Sequence, residues 1–326
     1  MLTDFYLDES VFEAGLLKDE SFCAVHDTII DYWKRYGVLV MPDGAAASYL
    51  QSIKKLPPKF HQRWVGAFTA NSKYQSENSW GQCDSYSTFQ NACELFCFFE
   101  TAVAEDTLSA VICDNDKTLR QCPSTLFEMV GVGSITESQN FKASRESSIT
   151  DIRYGADIND VWMKKFEGFV RRQNKIYISD RYVFESVVRD LQCGYSKSSI
   201  VKFIEMLPLG RKFNITILSD GDAKGSARHD EVCNYFTKYV MGSSPLAQKI
   251  SRLKLMSMET LKFKRFAHDR YLRFDKHVCQ VGVGMSIFER HGVPATSFTV
   301  KMLYESSAME IEKAAADSVW YEIFEV

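Results

Sequence analysis

The feature that most constrains how this chain can fold is the alternation of short apolar runs with segments of helical periodicity. VLVMP (38–42) and FEMVGVGSI (127–135) have the composition of buried strands, and SFCAVHDTIIDYWKRYG (21–37) has the apolar spacing of a helix that stops at a glycine. Strands that alternate with helices are typical of a parallel α/β sheet. The sequence therefore predicts an α/β fold.

A polar stretch interrupts this alternation. Residues 136–160, TESQNFKASRESSITDIRYGADIND, have little periodicity, which is typical of a linker. Beyond them the strand and helix patterns restart, and 326 residues are enough for two domains of ordinary size. We therefore predict two α/β domains, over residues 1–135 and 161–326, joined by that linker.

Acidic residues cluster at the ends of predicted strands in the first domain. Asp4 and Asp8 flank the strand FYL, while Asp114 and Asp116 follow LSAVIC, a predicted strand that comes after a helix predicted over 88–106. Carboxylates at one edge of a parallel sheet can converge, and such oxygen-rich sites suit Mg²⁺ or Mn²⁺. Acids in these places are also common as helix N-caps, and DNDK is a good turn sequence, so both interpretations stay open.

The order of these acids resembles the pattern of PIN-type nucleases, over roughly residues 1–135. FYLDES provides a first strand that ends in an acid, a middle helix carries further acids, and AVICDNDKTLR provides a late strand with an acidic loop. The resemblance implies that Asp8 is the first acid, Glu94 or Glu100 the helix acid, and Asp114 or Asp116 the late one. It implies a nuclease in which Asp8, Glu94 and Asp116 are catalytic. Together with Asp4 and Asp114, these residues would hold Mg²⁺ or Mn²⁺.

Basic residues are concentrated between residues 252 and 277. The net charge of the chain is −3, yet this stretch holds eight lysines and arginines against three acids. The concentration is compatible with a local anion-binding patch and equally with a solvated helix face followed by a loop. Within it, AHDRYLRFD (267–275) combines one histidine with two arginines and two aspartates.

AHDRYLRFD resembles the His-x-Lys-x₄-Asp signature of the phospholipase D superfamily. His268 takes the position of the nucleophile, Arg270 that of the lysine and Asp275 that of the aspartate, and Gly282 falls where the family has its first following glycine. The resemblance implies that His268 attacks phosphorus, while Arg270 and Arg273 hold the phosphate oxygens and Asp275 belongs to the same phosphate site.

The sequence also departs from that signature. Arg270 replaces the lysine, and Val283 and Met285 replace polar residues of the following segment. The upstream segment IYISDRY offers Asp180 and Arg181 at a related position but has no histidine, so a second histidine would have to come from a symmetric partner chain. In a purely structural interpretation, the two aspartates pair with the two arginines and His268 caps the entry to a strand.

HDRYLRFD, VGVGMSIF and IYISDRY together are most similar to a divergent branch of that superfamily. This branch is the C-terminal domain that follows microtubule-interacting-and-trafficking modules, and similar domains occur in bacterial defence-associated proteins. The resemblance covers about residues 155–305. It implies a fold that is retained while the paired catalytic residues are often lost, and a role in binding phosphate-bearing ligands or partners.

Three functions follow as expectations. The first is a metal-dependent nuclease whose second domain binds the phosphate backbone of nucleic acid, with antiviral defence as its expected setting. The second is a metal-independent phosphodiesterase that uses His268 across a homodimer. The third is a non-catalytic recognition or assembly module for a partner protein of a defence complex. Nine scattered cysteines, no signal-peptide pattern and no long apolar run predict a cytoplasmic protein without a membrane span.

Overall fold

The chain folds into two compact α/β units. The computed structural model describes residues 1–114, 119–194, 197–221, 224–266, 270–289 and 292–325. The units comprise Met1–Ser147 and Ser148–Val326. Both combine a sheet that contains parallel strands with helices, which confirms the predicted fold class. No helix in these ranges combines the length and the apolar character needed to cross a membrane.

The first unit alternates strands and helices along the chain. Its strands are β1 Thr3–Leu7, β2 Gly37–Met41, β3 Lys73–Gln75, β4 Thr101–Ala104, β5 Leu119–Gln121 and β6 Glu128–Gly131. Its helices are α1 Gly15–Lys18, α2 Cys23–Tyr36, α3 Ala46–Lys54, α4 Pro58–Ala70, α5 Phe89–Ala92, α6 Asp106–Cys113 and α7 Gln139–Ile149, the last of which crosses the unit boundary. The strands are short and mostly apolar, as expected for a sheet that is covered on both faces.

The described strands of the first sheet have the order β3-β2-β1-β4-β6-β5. Neighbours from β3 to β6 are parallel, and β5 pairs antiparallel with β6. The chain moves from β1 outwards to β3 and then returns to the other side of β1 at β4. The carboxyl ends of β1 and β4 therefore form a switch point, where a crevice opens in sheets of this kind.

Two element predictions in the first unit were wrong. The segment predicted as the strand LSAVICD is α6, and the helix predicted over 88–106 contains α5, a 3₁₀ turn at Cys93–Cys97 and β4. Leu, Val and Ile in α6 mimic a strand, but helical spacing buries Ile112 and leaves Val111 exposed. Because β4 has only four residues, periodicity could not separate it from the helix-like sequence before it.

Much of the segment predicted as a linker is regular structure. Residues 139–149 form α7, and Ala156–Asp157 forms β7. The Glu128 carboxylate, buried in β6, accepts hydrogen bonds from the backbone N–H groups of Gln139 at 2.8 Å and Asn140 at 3.3 Å. Ser138, just before α7, caps the helix by accepting from the Phe141 N–H at 3.1 Å, and the distant Glu128 satisfies two further N–H groups of the first turn.

The second unit contains the remaining strands. They are β7, β8 Lys175–Ser179, β9 Phe213–Asp220, β10 Ile250–Met258, β11 Tyr271–Phe274, β12 His277–Val281, β13 Gly292–Val293, β14 Phe298–Met302 and β15 Trp320–Glu325. Its helices are α8 Ile158–Lys165, α9 Glu167–Val170, α10 Val183–Gln192, α11 Ser199–Met206, α12 Ala227–Tyr235, α13 Ser244–Ala247, α14 Thr260–Phe266 and α15 Ala308–Ala314. A π-helical turn, Phe236–Met241, continues α12.

The described strands of the main second sheet have the order β14-β12-β11-β8-β9-β10-β15. β8, β9 and β10 are parallel, and the strands on either side of them are antiparallel to their neighbours. Ala308 and Ile311 of α15 pack on one face of this sheet, against Tyr271, Leu218 and other apolar side chains near the carboxyl ends of β8 to β10. The remainder of that face carries polar side chains.

Candidate functional site

Asp8 directly follows β1 at the switch point of the first sheet and is almost fully buried, with 1% of its surface exposed. Its carboxylate accepts hydrogen bonds from the backbone N–H groups of Cys83 at 2.7 Å and Ser10 at 3.0 Å, and from the Tyr6 hydroxyl at 3.3 Å. Burial raises the pKa of Tyr6 far above its usual value, so this hydroxyl remains a donor. Asp8 is thereby the N-cap of the 3₁₀ helix Glu9–Glu13.

Two acids that sequence reasoning did not single out lie at the same edge of the sheet. Glu105 and Asp106 follow β4, and the Glu105 carboxylate caps α6 by accepting from the Leu108 N–H at 2.9 Å. Asp106 accepts from the Gly133 N–H at 3.0 Å, and burial raises the pKa of Asp106. The acidic pair after the apolar run TAVA was the available signal, but it lay inside the segment predicted as a helix.

The other acids predicted for the first unit lie elsewhere. Asp4 lies near the amino end of β1, about 13 Å along the strand from Asp8, and its N–H approaches the Glu100 carboxylate at 3.4 Å. Glu94 is exposed in the Cys93–Cys97 turn. Asp114 ends α6 in the left-handed conformation, with φ of 51°. Asp116 lies outside the described residues.

The acids predicted to hold a metal are described except for Asp116, and those that are described do not converge. Among the described residues, no group of three or more His, Cys, Asp or Glu side chains is placed to hold a metal ion. The Asp8 carboxylate oxygens are occupied by protein donors, and Asp4 lies at the opposite end of its strand. The described donor set therefore does not fit Mg²⁺ or Mn²⁺, which need several convergent oxygen ligands.

In the second unit, the strand register brings Arg270 next to Asp180. Asp180 follows β8, and β11 runs antiparallel to β8 with Tyr271 opposite Ser179, so the residue before Tyr271 lies beside the residue after Ser179. The Arg270 Nε lies 4.0 Å from the Asp180 Oδ1. The Arg270 guanidinium also lies over the ring of Tyr182, 4.8 Å from its centroid.

Asp180 is held by the backbone around it. With 4% of its surface exposed, its carboxylate accepts from the N–H of Tyr182 at 3.0 Å and from the N–H of Met285 at 2.7 Å. Burial raises the pKa of Asp180, while these two donors and Arg270 oppose the rise. A charge-assisted hydrogen bond from each N–H stabilises the ionised form and fixes its position beside Arg270.

Gly284 makes this arrangement possible. Its φ is +62°, in the left-handed region that glycine tolerates, and a Cβ at this position would lie 2.1 Å from the Asp180 Oδ2 and 2.7 Å from the Arg270 Cδ. The turn after β12 therefore lies directly against the pair. Glycine in this segment was part of the predicted signature at Gly282, where a Cβ would lie 2.8 Å from the Ser297 Oγ, and Gly284 adds a second glycine requirement through its positive φ.

A cavity of about 270 Å³ adjoins this pair. Its lining combines both signs of charge with hydroxyl and apolar groups and includes Asp180, Tyr182, Val183, Glu185, Ser186, Arg189, Ser199, Arg270, Val283, Met285, Ser286 and Glu289. The Arg189 Nη2 lies 3.8 Å from the Glu289 Oε1 and donates to the Ser186 Oγ at 3.1 Å. Val283 and Met285, which replace polar residues of the family signature, thus do line the pocket.

The other residues of AHDRYLRFD that the structure describes, 271–275, are not part of this pocket. Arg273 donates two hydrogen bonds to the Glu312 carboxylate of α15, at 2.6 and 2.8 Å, and another to the backbone oxygen of Asp275. Asp275 lies in the turn after β11, at the opposite end of that strand from Arg270, and burial raises the pKa of Asp275. His268 lies outside the described residues. The predicted pairing of Arg273 with an aspartate is instead a pairing with a glutamate.

The fold and site define a two-unit α/β protein whose second unit holds an arginine beside a buried aspartate at a sheet edge. No protein-family model and no curated protein matches the sequence. Phosphatidylserine synthase of Haemophilus influenzae Rd KW20 shows weak structural similarity, with 10% sequence identity and a TM-score of 0.27. The match covers 56% of this chain and 45% of the enzyme. TrmBL2, an archaeal chromatin protein that binds DNA, shows 12% identity and a TM-score of 0.24 over 61% of this chain and 74% of its own. Both TM-scores are below 0.5, so neither match assigns a fold or a function.

Proposed function

We propose that the second unit binds phosphate groups of nucleic acid at the pocket around Arg270. The observation that carries the proposal is the position of the Arg270 guanidinium, 4.0 Å from Asp180 and stacked over Tyr182 beside a cavity. A separation of 4.0 Å is too long for a hydrogen bond. The Arg270 guanidinium is therefore not hydrogen-bonded to Asp180.

Guanidinium groups suit this role because their planar fork matches two oxygens of a phosphate. The Arg270 guanidinium lies against the Tyr182 ring, and Asp180 is itself fixed by two backbone donors. These contacts already restrict the Arg270 side chain in the folded protein. Arg270 therefore loses less conformational entropy on binding phosphate than a flexible lysine would. The pocket is accordingly better suited to hold a phosphate than to pair two side chains with each other.

Hydrolysis stays a prediction. A metal-dependent nuclease would need acids that the described residues do not bring together, and a metal-independent phosphodiesterase would need His268 from two chains. The same applies to the homodimer and to a partner protein in a defence complex. Incubation of labelled DNA and RNA with the full chain, with Mn²⁺ or with EDTA, separates the two reactions. Cleavage that continues in EDTA and is lost in His268→Ala would support the metal-independent phosphodiesterase.

Binding is tested by fluorescence anisotropy with labelled DNA and RNA at several salt concentrations. Arg270→Gln should weaken binding and reduce the slope of log K against log salt by about 1, because one phosphate contact is removed. Arg153→Gln is the control, since Arg153 is an exposed arginine of the same unit outside the pocket. An unchanged affinity and slope in correctly folded Arg270→Gln would overturn the proposal.

A further inference from the structure

We infer that a single strand of nucleic acid lies across the open face of the second sheet. This surface, which we call the open face, is formed by side chains that line a groove of about 300 Å³, namely Lys175, Ile176, Tyr177, Asn214, Ile215, Thr216, Arg252, Lys254 and Arg273. The inference rests on the proposed function only in taking nucleic acid as the ligand, because the Arg270 pocket has different lining residues.

The strand register arranges the open face in two rows. In one row Arg273 is opposite Tyr177, Tyr177 opposite Thr216, Thr216 opposite Lys254, and Lys254 opposite Ile323 of β15. Side chains two residues apart along a strand share a face, so the second row lies beside the first. That row contains Lys175, Asn214 and Arg252. From Lys175 on β8 to β15 the accessible part of the rows crosses three strand spacings, about 14 Å, which is long enough for consecutive phosphates.

The rows are open from Thr216 towards β15, because α15 is short and covers only the Tyr177 end of the first row. The seven residues of α15 cover Tyr271, Leu218 and Met256, which lie nearer the carboxyl ends of the strands. Lys175 and Arg252 are exposed, and Lys254 is half-buried. A sheet face that needed only to close a core would carry apolar side chains at these positions.

Cations exceed acids on the open face. Glu312 pairs with Arg273, and the Glu325 Oε1 lies 3.5 Å from the Arg252 Nε. Lys175 lies beside Asp275 and its charge acts on that carboxyl, but among the described residues neither Lys175 nor Lys254 forms an ion pair within 4.0 Å. Two lysines in adjacent rows, with polar Asn and Thr side chains between them, are complementary to a chain of phosphates.

An aromatic side chain favours an unpaired strand over a duplex or a phosphate-bearing lipid. Tyr321 of β15 is 56% exposed, and the Lys254 Nζ lies 5.0 Å from its ring centroid. Opposite Met256 in the register, Tyr321 lies at the end of the open face. Bases can stack on such a ring only when they are not paired, and stacking beside a basic groove is the usual way of binding single strands.

The test compares binding of oligouridylate, oligothymidylate and a duplex of equal length by the full chain. Lys175→Glu combined with Lys254→Glu should weaken single-strand binding at least about tenfold, since two phosphate contacts become repulsive. The control combines Arg153→Glu with Lys238→Glu, two exposed residues of the same unit with the same change in charge. Tyr321→Ala should weaken single-strand binding about fivefold or more, and Tyr321→Phe should retain most of it.

Each result has a defined meaning. Equal loss in the two charge-reversal pairs, tighter binding of the duplex than of single strands, or an unchanged affinity in Tyr321→Ala would overturn the inference. Binding of phosphoinositide vesicles that is lost in the Lys175/Lys254 pair, while nucleic-acid binding is retained, would also overturn it. Loss in that pair with an unaffected Arg270→Gln supports the open face and contradicts the Arg270 pocket, so the two proposals can fail separately.

Discussion

Arg273 and Glu312 form a two-pronged ion pair, with Nε–Oε1 at 2.6 Å and Nη2–Oε2 at 2.8 Å. Both side chains are mostly buried, at 15% and 21% exposure. The pair joins β11 to α15 and occupies Arg273, an arginine that was predicted from the sequence to bind phosphate. Three residues away, Arg270 makes no comparable bond within the described residues. Two arginines of one motif thus have different surroundings.

Arg273→Gln should lower the free energy of unfolding by about 2 kcal/mol, because a mostly buried charged hydrogen-bond pair is broken. Its nucleic-acid affinity, measured well below the unfolding temperature, should fall less than that of Lys175→Glu combined with Lys254→Glu, because Glu312 already neutralises Arg273 on the open face. Lys197→Gln is the control, since its ion pair with Glu205 is exposed at 62% and 39% and should contribute less than about 0.5 kcal/mol. Urea unfolding and anisotropy measure the two effects. A stable variant with strongly reduced affinity would restore Arg273 to the phosphate site.

Gly284→Ala should destabilise the second unit by about 3 kcal/mol or more, because a Cβ would collide with Asp180 and the left-handed conformation would be strained. Gly210→Ala separates these two effects. Gly210 has φ of +78° and open space around it, so only the strain of about 1 kcal/mol applies. Urea unfolding of both variants gives the difference. Equal losses would mean that the turn can move away from Asp180.

Asp8→Ala should lower the free energy of unfolding by about 2 to 3 kcal/mol, because it removes an N-cap and leaves the buried Cys83 N–H without its acceptor. Asp114→Asn should change stability by less than about 0.5 kcal/mol, since Asp114 is exposed and asparagine tolerates its left-handed conformation. Urea denaturation followed by circular dichroism measures both. Wild-type stability in Asp8→Ala, combined with loss of Mn²⁺-dependent cleavage, would identify Asp8 as a metal ligand.

His26 should make the stability of the first unit depend on pH. It is fully buried, accepts a hydrogen bond from the Trp64 Nε1 at 2.8 Å, and burial lowers the pKa of His26 to about 4. Above pH of about 6.5, His26 is neutral in the folded and unfolded states, so stability is at its full value. Between about 6.5 and 4 the unfolded chain takes up a proton that the folded chain does not, and stability should fall by about 3 kcal/mol in total.

His26→Gln tests this because glutamine can accept from Trp64 and does not titrate. The free energy of unfolding, measured by urea denaturation at pH 7.5 and at steps down to pH 4.5, should fall less steeply in the variant than in the wild type. Parallel curves would show that other groups, such as the buried Asp106 carboxyl, cause the dependence.

The sequence predicted the fold class because strands and helices alternate over long stretches, and β1, β2, β6, β8 and β9 lie where apolar runs indicated them. It failed where tertiary contacts decide. Helix α7 depends on Glu128, an acid eleven residues before its first residue. Strand β4 is too short to leave a period of its own. In both cases local propensity is overridden by contacts that are distant in sequence.

The candidate site was predicted in part. Arg270 was selected by its spacing, and the structure places it beside a pocket. Asp180 was noted only as a related position, since its role depends on the register between β8 and β11. Lys175 and Tyr321 carried no signal, because they are far apart in sequence and come onto one sheet face only through the pairing of four strands, β8, β9, β10 and β15. The basic residues of 252–277 do not form one patch: Arg252, Lys254 and Arg273 line the open face, and Arg270 lines a separate pocket.

Four-residue β11 has a consequence for how this unit can change over time. Arg270 lies just before the strand and Arg273 within it, so the two side chains reach different surfaces. Insertion or deletion of one residue in β11 would turn every later side chain to the opposite face and place Arg273 where apolar packing is required. Substitutions in β11 are therefore easier to accommodate during evolution than a change in its length.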